Sequence, residues 1–246
     1  GTGGAPLFSI FRGKKDPDTA RCIMNTSFTM LCVCAMILMT VGFLFARPIL
    51  ILFGASAEAI VYAYPYMMLY LIGTLPSMIA VGMNPFINAQ GYSSIGMLSV
   101  AIGAGTNLVL DPLFIFALGL GVRGAAIATV ISQCISAALV VRCLVKETGP
   151  LRLDFRQLKI YPIKLKQIMQ VGIPAGIQGM LFSLANVTVQ SSVNSFGEVI
   201  MAGSSAAISI EQFIYSNINA FYQANTAFTS QNFGAGKGSL LMSSLM

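Results

Sequence analysis

The sequence contains no histidine, and only 9% of its residues are charged. Without histidine the chain lacks the usual general base, the commonest metal ligand and the usual pH switch, so any proton it handles must ride on a carboxylate. Its five cysteines, Cys22, Cys32, Cys34, Cys134 and Cys143, are odd in number and show neither a disulfide framework nor a zinc spacing. A soluble domain carries about 25% charged residues, and the deficit here excludes a water-exposed globular fold. The net charge of +6 does not signal nucleic acid, because no basic face is interleaved with aromatics as single-strand binding requires. The glycine groups Gly103/Gly105, Gly172/Gly176 and Gly234/Gly236 have no strand-to-helix context for phosphate binding and read as helix packing or turns.

What the sequence has is long apolar runs. Hydrophobic residues make up 56% of it, and 52 consecutive residues, Ala59 to Leu110, pass without a Lys, Arg, Asp or Glu. A bilayer span needs about 20 apolar residues, and backbone groups in lipid must be satisfied internally, so the fold class is all-α, a polytopic helical membrane protein. Residues 1–11 read as the tail of a helix, entering a basic loop at Arg12–Arg21. Six complete spans follow, over 22–46, 59–83, 95–118, 124–141, 167–193 and 199–232. The first ends near Arg47 and Pro48, since proline cannot donate within a helix, and Glu58 falls in the loop beyond. Pro65 and Pro76 bend the second, Asn84–Ser94 supplies turn chemistry, and Ala, Ser and Thr allow close packing of the fourth. The sixth is too long to be straight and in-membrane throughout. Because the chain begins with Gly1 and no charged leader precedes the apolar sequence, it reads as an internal fragment.

Alternating sides place residues 12–21, 84–94, 142–166 and 233–246 together, with twelve Lys and Arg against Arg47 and Arg123 on the opposite side. The positive-inside rule makes the first set cytoplasmic. The polar stretch 142–166 then reads as a linker between two bundles. FSIFRGKK at 8–15 and TSQNFGAGK at 229–237 echo one another at the cytoplasmic ends of inward-running helices, as internal transporter repeats would.

Asp111 interrupts the third span. An ionisable group at bilayer depth costs about 2.5 to 3.5 kcal/mol on insertion scales, so it usually faces a cavity or partner. Asn107 lies one turn away on the same face, and Thr129 sits at similar depth on the neighbouring antiparallel span. Pro112 leaves the Leu108 carbonyl without its helical donor. Together these form an oxygen-donor site for H⁺ or a hard cation such as Na⁺. The competing reading ends the helix at Asp111-Pro112 and leaves FIFALGLG as an outer loop. A second candidate is a cavity wall made by Glu211, Tyr215, Asn219 and Tyr222 on the sixth span, facing Ser183, Asn186, Gln190 and Asn194 on the fifth. The alternative places Glu211 at the outer end of its helix.

The block LDPLFIFALGLGVRGAAIATVISQ, the FGAS and NAQG turns, GIPAGIQ and QNFGAGK resemble the multidrug and toxic compound extrusion (MATE) family over nearly the whole chain. That resemblance implies twelve helices in two lobes around a cleft, exporting organic cations by antiport with Na⁺ or H⁺ and using no cofactor. It implies a transporter in the cell membrane, not an enzyme, monomeric when full length. On this likeness residues 1–144 are part of the first lobe, 145–166 the cytoplasmic linker and 167–246 the start of the second lobe. The family's first-lobe ion network matches Asn107, Asp111 and Thr129, and an Asn of the fourth helix falls at Asn84. Glu211, Tyr215, Asn186 and Gln190 would then line the drug cavity, with the tyrosines making cation-π contact. Two departures accompany the likeness: the partner Asp of the first helix has no counterpart, and Phe182 stands where one branch of the family has an acidic residue. A flippase for lipid-linked oligosaccharides shares this general architecture, but its anionic headgroup calls for intramembrane Arg or Lys, and the six spans have none.

Overall fold

The computed structural model describes residues 1–52, 57–147, 149–155, 158–194 and 198–237. The FGAS turn at 53–56, Arg156 and the closing 238–246 lie outside the described residues, as does the side chain of Asn194. The described chain is a bundle of α-helices without strands: α1 (Gly4–Gly13), α2 (Pro17–Leu52), α3 (Ala57–Ile72), α4 (Thr74–Ala89), α5 (Ser93–Pro112), a π-helical turn (Leu113–Ala117), α6 (Gly121–Lys146), α7 (Pro162–Asn194) and α8 (Glu198–Gly234). It is a helical membrane protein. Four elements, α2, α5 with its π turn, α6 and α7, are long and apolar enough to cross a bilayer, and the bent pair α3–α4 makes a fifth. At 37 residues α8 is the longest helix but is not among these candidates.

Several boundaries differ from the sequence expectation, each for a local reason. The basic loop at 12–21 shrinks to a turn after Gly13, because Lys15 takes a left-handed φ of 58° and the Asp16 carboxylate caps α2 by accepting from the Thr19 N–H at 3.1 Å. Pro17 suits the first helical position, where its missing N–H is no loss. α2 passes through Pro48 to Leu52 and kinks at Phe45 (φ −112°, ψ 16°). The ring of Pro48 crowds the turn before it, and with no N–H it cannot donate to the Leu44 carbonyl, so the kink falls there. Glu58 lies in the first turn of α3, not in a loop.

The second span is broken at Gly73, where α3 and α4 meet at 51°. Pro76, three residues on, cannot donate to the Ile72 carbonyl, and Gly73 lets α6 approach: a Cβ there would lie 3.0 Å from Val130 Cγ2. The turn expected over 84–94 is confined to Gln90–Tyr92, with Gly91 at φ 91°. Asn84, Pro85 and Asn88 belong to α4, held there by complete burial of Met83, Phe86 and Ile87.

The core sits at one end of the bundle. Phe8 of α1 meets Phe86 of α4 edge-on at 5.5 Å, and Ile23, Met24, Leu144 and Leu153 join them at 1% exposure or less. Leu153 belongs to the segment between α6 and α7, which is shorter than 142–166 because α6 runs to Lys146 and α7 begins at Pro162. This segment is docked on the bundle. Leu153 N–H donates to the Leu144 carbonyl at 2.9 Å, Gln90 Nε2 donates to the Leu151 carbonyl at 3.2 Å, and Phe155 packs edge-on against Phe28. Away from this end most large apolar side chains face outward, among them Leu44, Val81, Leu108 and Phe116, as lipid-facing surfaces do.

α8 leans on α1. A Cβ at Gly13 would collide with the Gln231 carbonyl, and one at Gly234 with the Ile10 carbonyl, so the two echoing segments of the sequence meet backbone to backbone. Contact between α7 and α8 is slight by comparison and includes stacking of Phe182 on Tyr215 at 6.3 Å.

Candidate ion site and polar cavity

Small residues bring α5 and α6 together. A Cβ at Gly103 would strike the Ser136 hydroxyl, and one at Gly124 would lie 2.7 Å from the Phe114 carbonyl. Ser136 Oγ donates across to the Ser99 carbonyl at 3.0 Å. At this separation polar side chains on the two helices reach each other. Asn107 Nδ2 donates to Asp111 Oδ1 at 3.2 Å and lies 3.5 Å from Thr129 Oγ1 on α6. Thr129 donates its own proton to the Ala125 carbonyl at 2.9 Å, which leaves its lone pairs turned toward α5. All three residues are half-buried.

The helix does not stop at Asp111. Beyond Pro112 the chain continues as a π-helical turn, in which Leu118 N–H reaches back five residues to the Leu113 carbonyl at 3.0 Å. Gly119 and Gly121, at φ 63° and 53°, then reverse it into α6. The segment LFIFA is therefore helical, contrary to the loop reading, and the wider turn follows from the donor that proline removes.

Among the described residues no three His, Cys, Asp or Glu side chains cluster as a transition-metal site would require. The site instead offers one carboxylate with neutral oxygens around it, the donor class of a proton or alkali cation. The Asn107 amide hydrogens bridge the two oxygen groups, the electrostatic role a bound cation would take.

Asn107 and Thr129 line a cavity of about 680 Å³ between α1, α4, α5, α6 and α8. Asn84 lines the same cavity but is tied elsewhere: its Nδ2 donates to the Gly96 carbonyl at 3.0 Å and lies 3.4 Å from Ser99 Oγ. Ser99 is eight residues from Asn107, about 12 Å along α5, so Asn84 belongs to a second polar cluster and not to the Asp111 group. The other polar groups of the lining are amides and hydroxyls, from Ser9, Asn88, Ser132 and Gln133 to Asn219 and Gln223; the rest is small and apolar, Ala80, Val81, Pro85, Val100 and Ala104 among them, and among the described residues no side chain of it is charged.

The expected substrate wall is placed differently. Asn219 and Tyr222 line the cavity, but Glu211, Tyr215, Asn186 and Gln190 do not. Glu211, Tyr215 and Asn186 are exposed and Gln190 is half-buried. The reason is the lean of α8: its pairing with α1 turns the later face, Asn219, Tyr222, Gln223 and Thr226, into the cavity and leaves Glu211 two turns away. The spacing of that face, i, i+3, i+4, i+7, was readable in the sequence. The choice of α1 as partner was not. Ser132, Gln133 and Ser136 were also missed, because in an Ala/Ser-rich helix they look like packing residues.

Comparison with known proteins agrees with the fold. A family model described as MatE matches residues 1–113, from before α1 to the first residue of the π turn. Over these residues the chain is similar to the MatE family. The chain is 24% identical over 237 residues to the multidrug export protein MepA of Staphylococcus haemolyticus (strain JCSC1435), covering 96% of this chain and 52% of that protein. It is 26% identical over 254 residues to the probable multidrug resistance protein YoeA of Bacillus subtilis (strain 168), covering 96% and 53%. The chain thus spans about half the length of the curated relatives it matches. Its fold superposes on an outward-facing multidrug resistance MATE family transporter of the MOP superfamily with a TM-score of 0.84 at 24% identity, over 99% of this chain and 54% of that one. A MATE structure in the straight conformation gives 0.86 at 24% identity, over 99% and 55%, and one in the bent conformation 0.85, so the MatE fold here is common to both states.

Proposed function

We propose that this chain forms the first lobe, and the beginning of the second, of a multi-pass antiporter of the cell membrane that exports organic cations or toxic compounds in exchange for Na⁺ or H⁺. The observation behind this reading is the Asn107 bridge between Asp111 and Thr129, beside a cavity that Asn107 and Thr129 line and whose polar side chains, among the described residues, are all neutral. Asp111 supplies the only negative charge of that group and takes the proton or cation. Asp111 and Thr129 present oxygen donors from two different helices, with the Asn107 amide between them, so occupancy biases how α5 sits against α6. Asn84 tunes the cavity wall from its own cluster. A coupling ion and a drug drive transport if they favour opposite-facing states, since a ligand shifts an equilibrium only by its differential affinity. Neutral amides and hydroxyls with Tyr222 suit varied cationic aromatics, held by contact and cation-π attraction. An anionic pyrophosphate headgroup finds no Lys or Arg among the described lining residues, which weighs against a flippase.

The test is ion-driven accumulation of a fluorescent organic cation in proteoliposomes, comparing Asp111→Asn with the parent in the assembled transporter. Loss of the ion-dependent component, with membrane insertion retained, is the expected result. Unchanged coupling would overturn the assignment of Asp111.

A further inference from the structure

On the opposite side of the α5–α6 pair from the polar cavity lies a separate groove of about 380 Å³ that shares only Ser99 with it. Its walls are two helix faces. Ile95, Leu98 and Ile102 follow one another on α5 at i, i+3, i+7, and Leu139, Arg142, Cys143 and Lys146 on α6 at i, i+3, i+4, i+7. Because the helices are antiparallel, polarity runs along the groove. One end holds Tyr92, Arg142, Lys146 and Glu147, while the floor toward Ile102 and Leu139 is aliphatic over seven residues of α5, about 10 Å. Leu98 and Ile95 are 54% and 43% exposed, so the floor opens to the surroundings of the bundle, which for a membrane protein is lipid.

The charged end is unbalanced. Glu147 accepts a hydrogen bond from Tyr92 Oη at 3.4 Å, and this raises the Tyr92 phenol above its usual range. Arg142 and Lys146 are exposed, and neither forms an ion pair among the described residues. Arg12, whose guanidinium reaches the Ala89 carbonyl, adds positive charge beside Tyr92. We propose that this groove binds an anionic phospholipid of the leaflet at the basic end of the bundle, its phosphate held by Arg142 and Lys146 and an acyl chain along Ile95, Leu98, Ile102 and Leu139. A guanidinium fork matches phosphate oxygens bidentately, and basic clefts between helices at the cytoplasmic face suit acidic headgroups. The site needs only membrane embedding, and it stands whether or not Asp111 couples transport.

Native mass spectrometry of the detergent-purified protein, titrated with palmitoyl-oleoyl phosphatidylglycerol or the phosphatidylcholine of the same chains, tests it. At about fivefold in affinity per basic group, Arg142→Gln should weaken phosphatidylglycerol retention about fivefold, and Arg142→Gln with Lys146→Gln about thirtyfold, leaving phosphatidylcholine unchanged. Both positions are exposed, so the core should keep its helical circular dichroism. The exchange Arg142→Lys with Lys146→Arg should retain the lipid, and Arg123→Gln at the other end should change nothing. Leu98→Ser should weaken both lipids, as loss of the acyl floor predicts. Equal retention of the two lipids by the parent, parental retention of phosphatidylglycerol by the double Gln variant, or displacement of the lipid by millimolar glycerol phosphate would each overturn the proposal, the last by showing a free-anion site.

Discussion

The α5–α6 and α7–α8 pairs begin from similar sequence. Each has one carboxylate in the interior of a long helix, an Asn or Tyr one turn away, and further polar side chains on its partner. They end differently. In the first pair Gly103 and Gly124 sit against Ser136 and Phe114, and Asp111 gains Asn107 at 3.2 Å with Thr129 just beyond. In the second, Gly176, Gly179 and Gly203 have nothing within 4 Å of a built Cβ, while Gly234 is pressed against α1 instead. Glu211 is left exposed. A polar stripe on a membrane helix thus becomes a site only where small residues draw a second helix within side-chain reach.

The largest effect that would sharpen this contrast is functional. Asp111→Asn should abolish ion-coupled transport while Glu211→Gln leaves it near the parental level, measured side by side in proteoliposomes; equal losses would erase the distinction between the pairs. Next is packing. Gly103→Val should cost about 1 to 3 kcal/mol by overpacking against Ser136, whereas Gly179→Ala should be neutral or stabilising by about 0.4 to 1 kcal/mol, both read as thermal unfolding in detergent. Thr129→Val keeps the shape but loses the oxygen, and at about 1 kcal/mol per hydrogen bond it should weaken coupling-ion affinity about fivefold in a titration of ion-dependent transport. The smallest is an acid effect at the α1–α2 turn. Hydrogen bonds from the Thr19 side chain and N–H hold the Asp16 carboxyl below its usual pKa. Its contribution to stability is therefore complete above the unfolded value near 3.9 and is lost as pH falls through the lower folded one. Asp16→Asn should flatten the slope of melting temperature against pH below about 4.

Much of the candidate site was legible because it rests on local spacing. Asn107 and Asp111 are one helical turn apart wherever the helix forms, and Pro112 forces an irregularity after them whatever the packing. Thr129 needed only the short GLG connection, which obliges α6 to return beside α5. The break at Gly73 and the docking of Leu151–Phe155 under the bundle were not legible. One depends on Val130 of a distant helix filling the space beside a glycine. The other depends on a cleft among α2, α4 and α6 that exists only after they assemble.

The amino-acid sequence by itself determined that this protein is helical and lives in a bilayer, since low charge and long apolar runs leave no other way to satisfy the backbone. It also determined that Asp111 and Asn107 share a face, because a turn of helix sets that distance. Only the tertiary structure decided which polar stripe became a cavity wall. α8 chose α1 over α7 because backbone contact at Gly13 and Gly234 is a property of two surfaces meeting, and no periodicity within one helix encodes its partner.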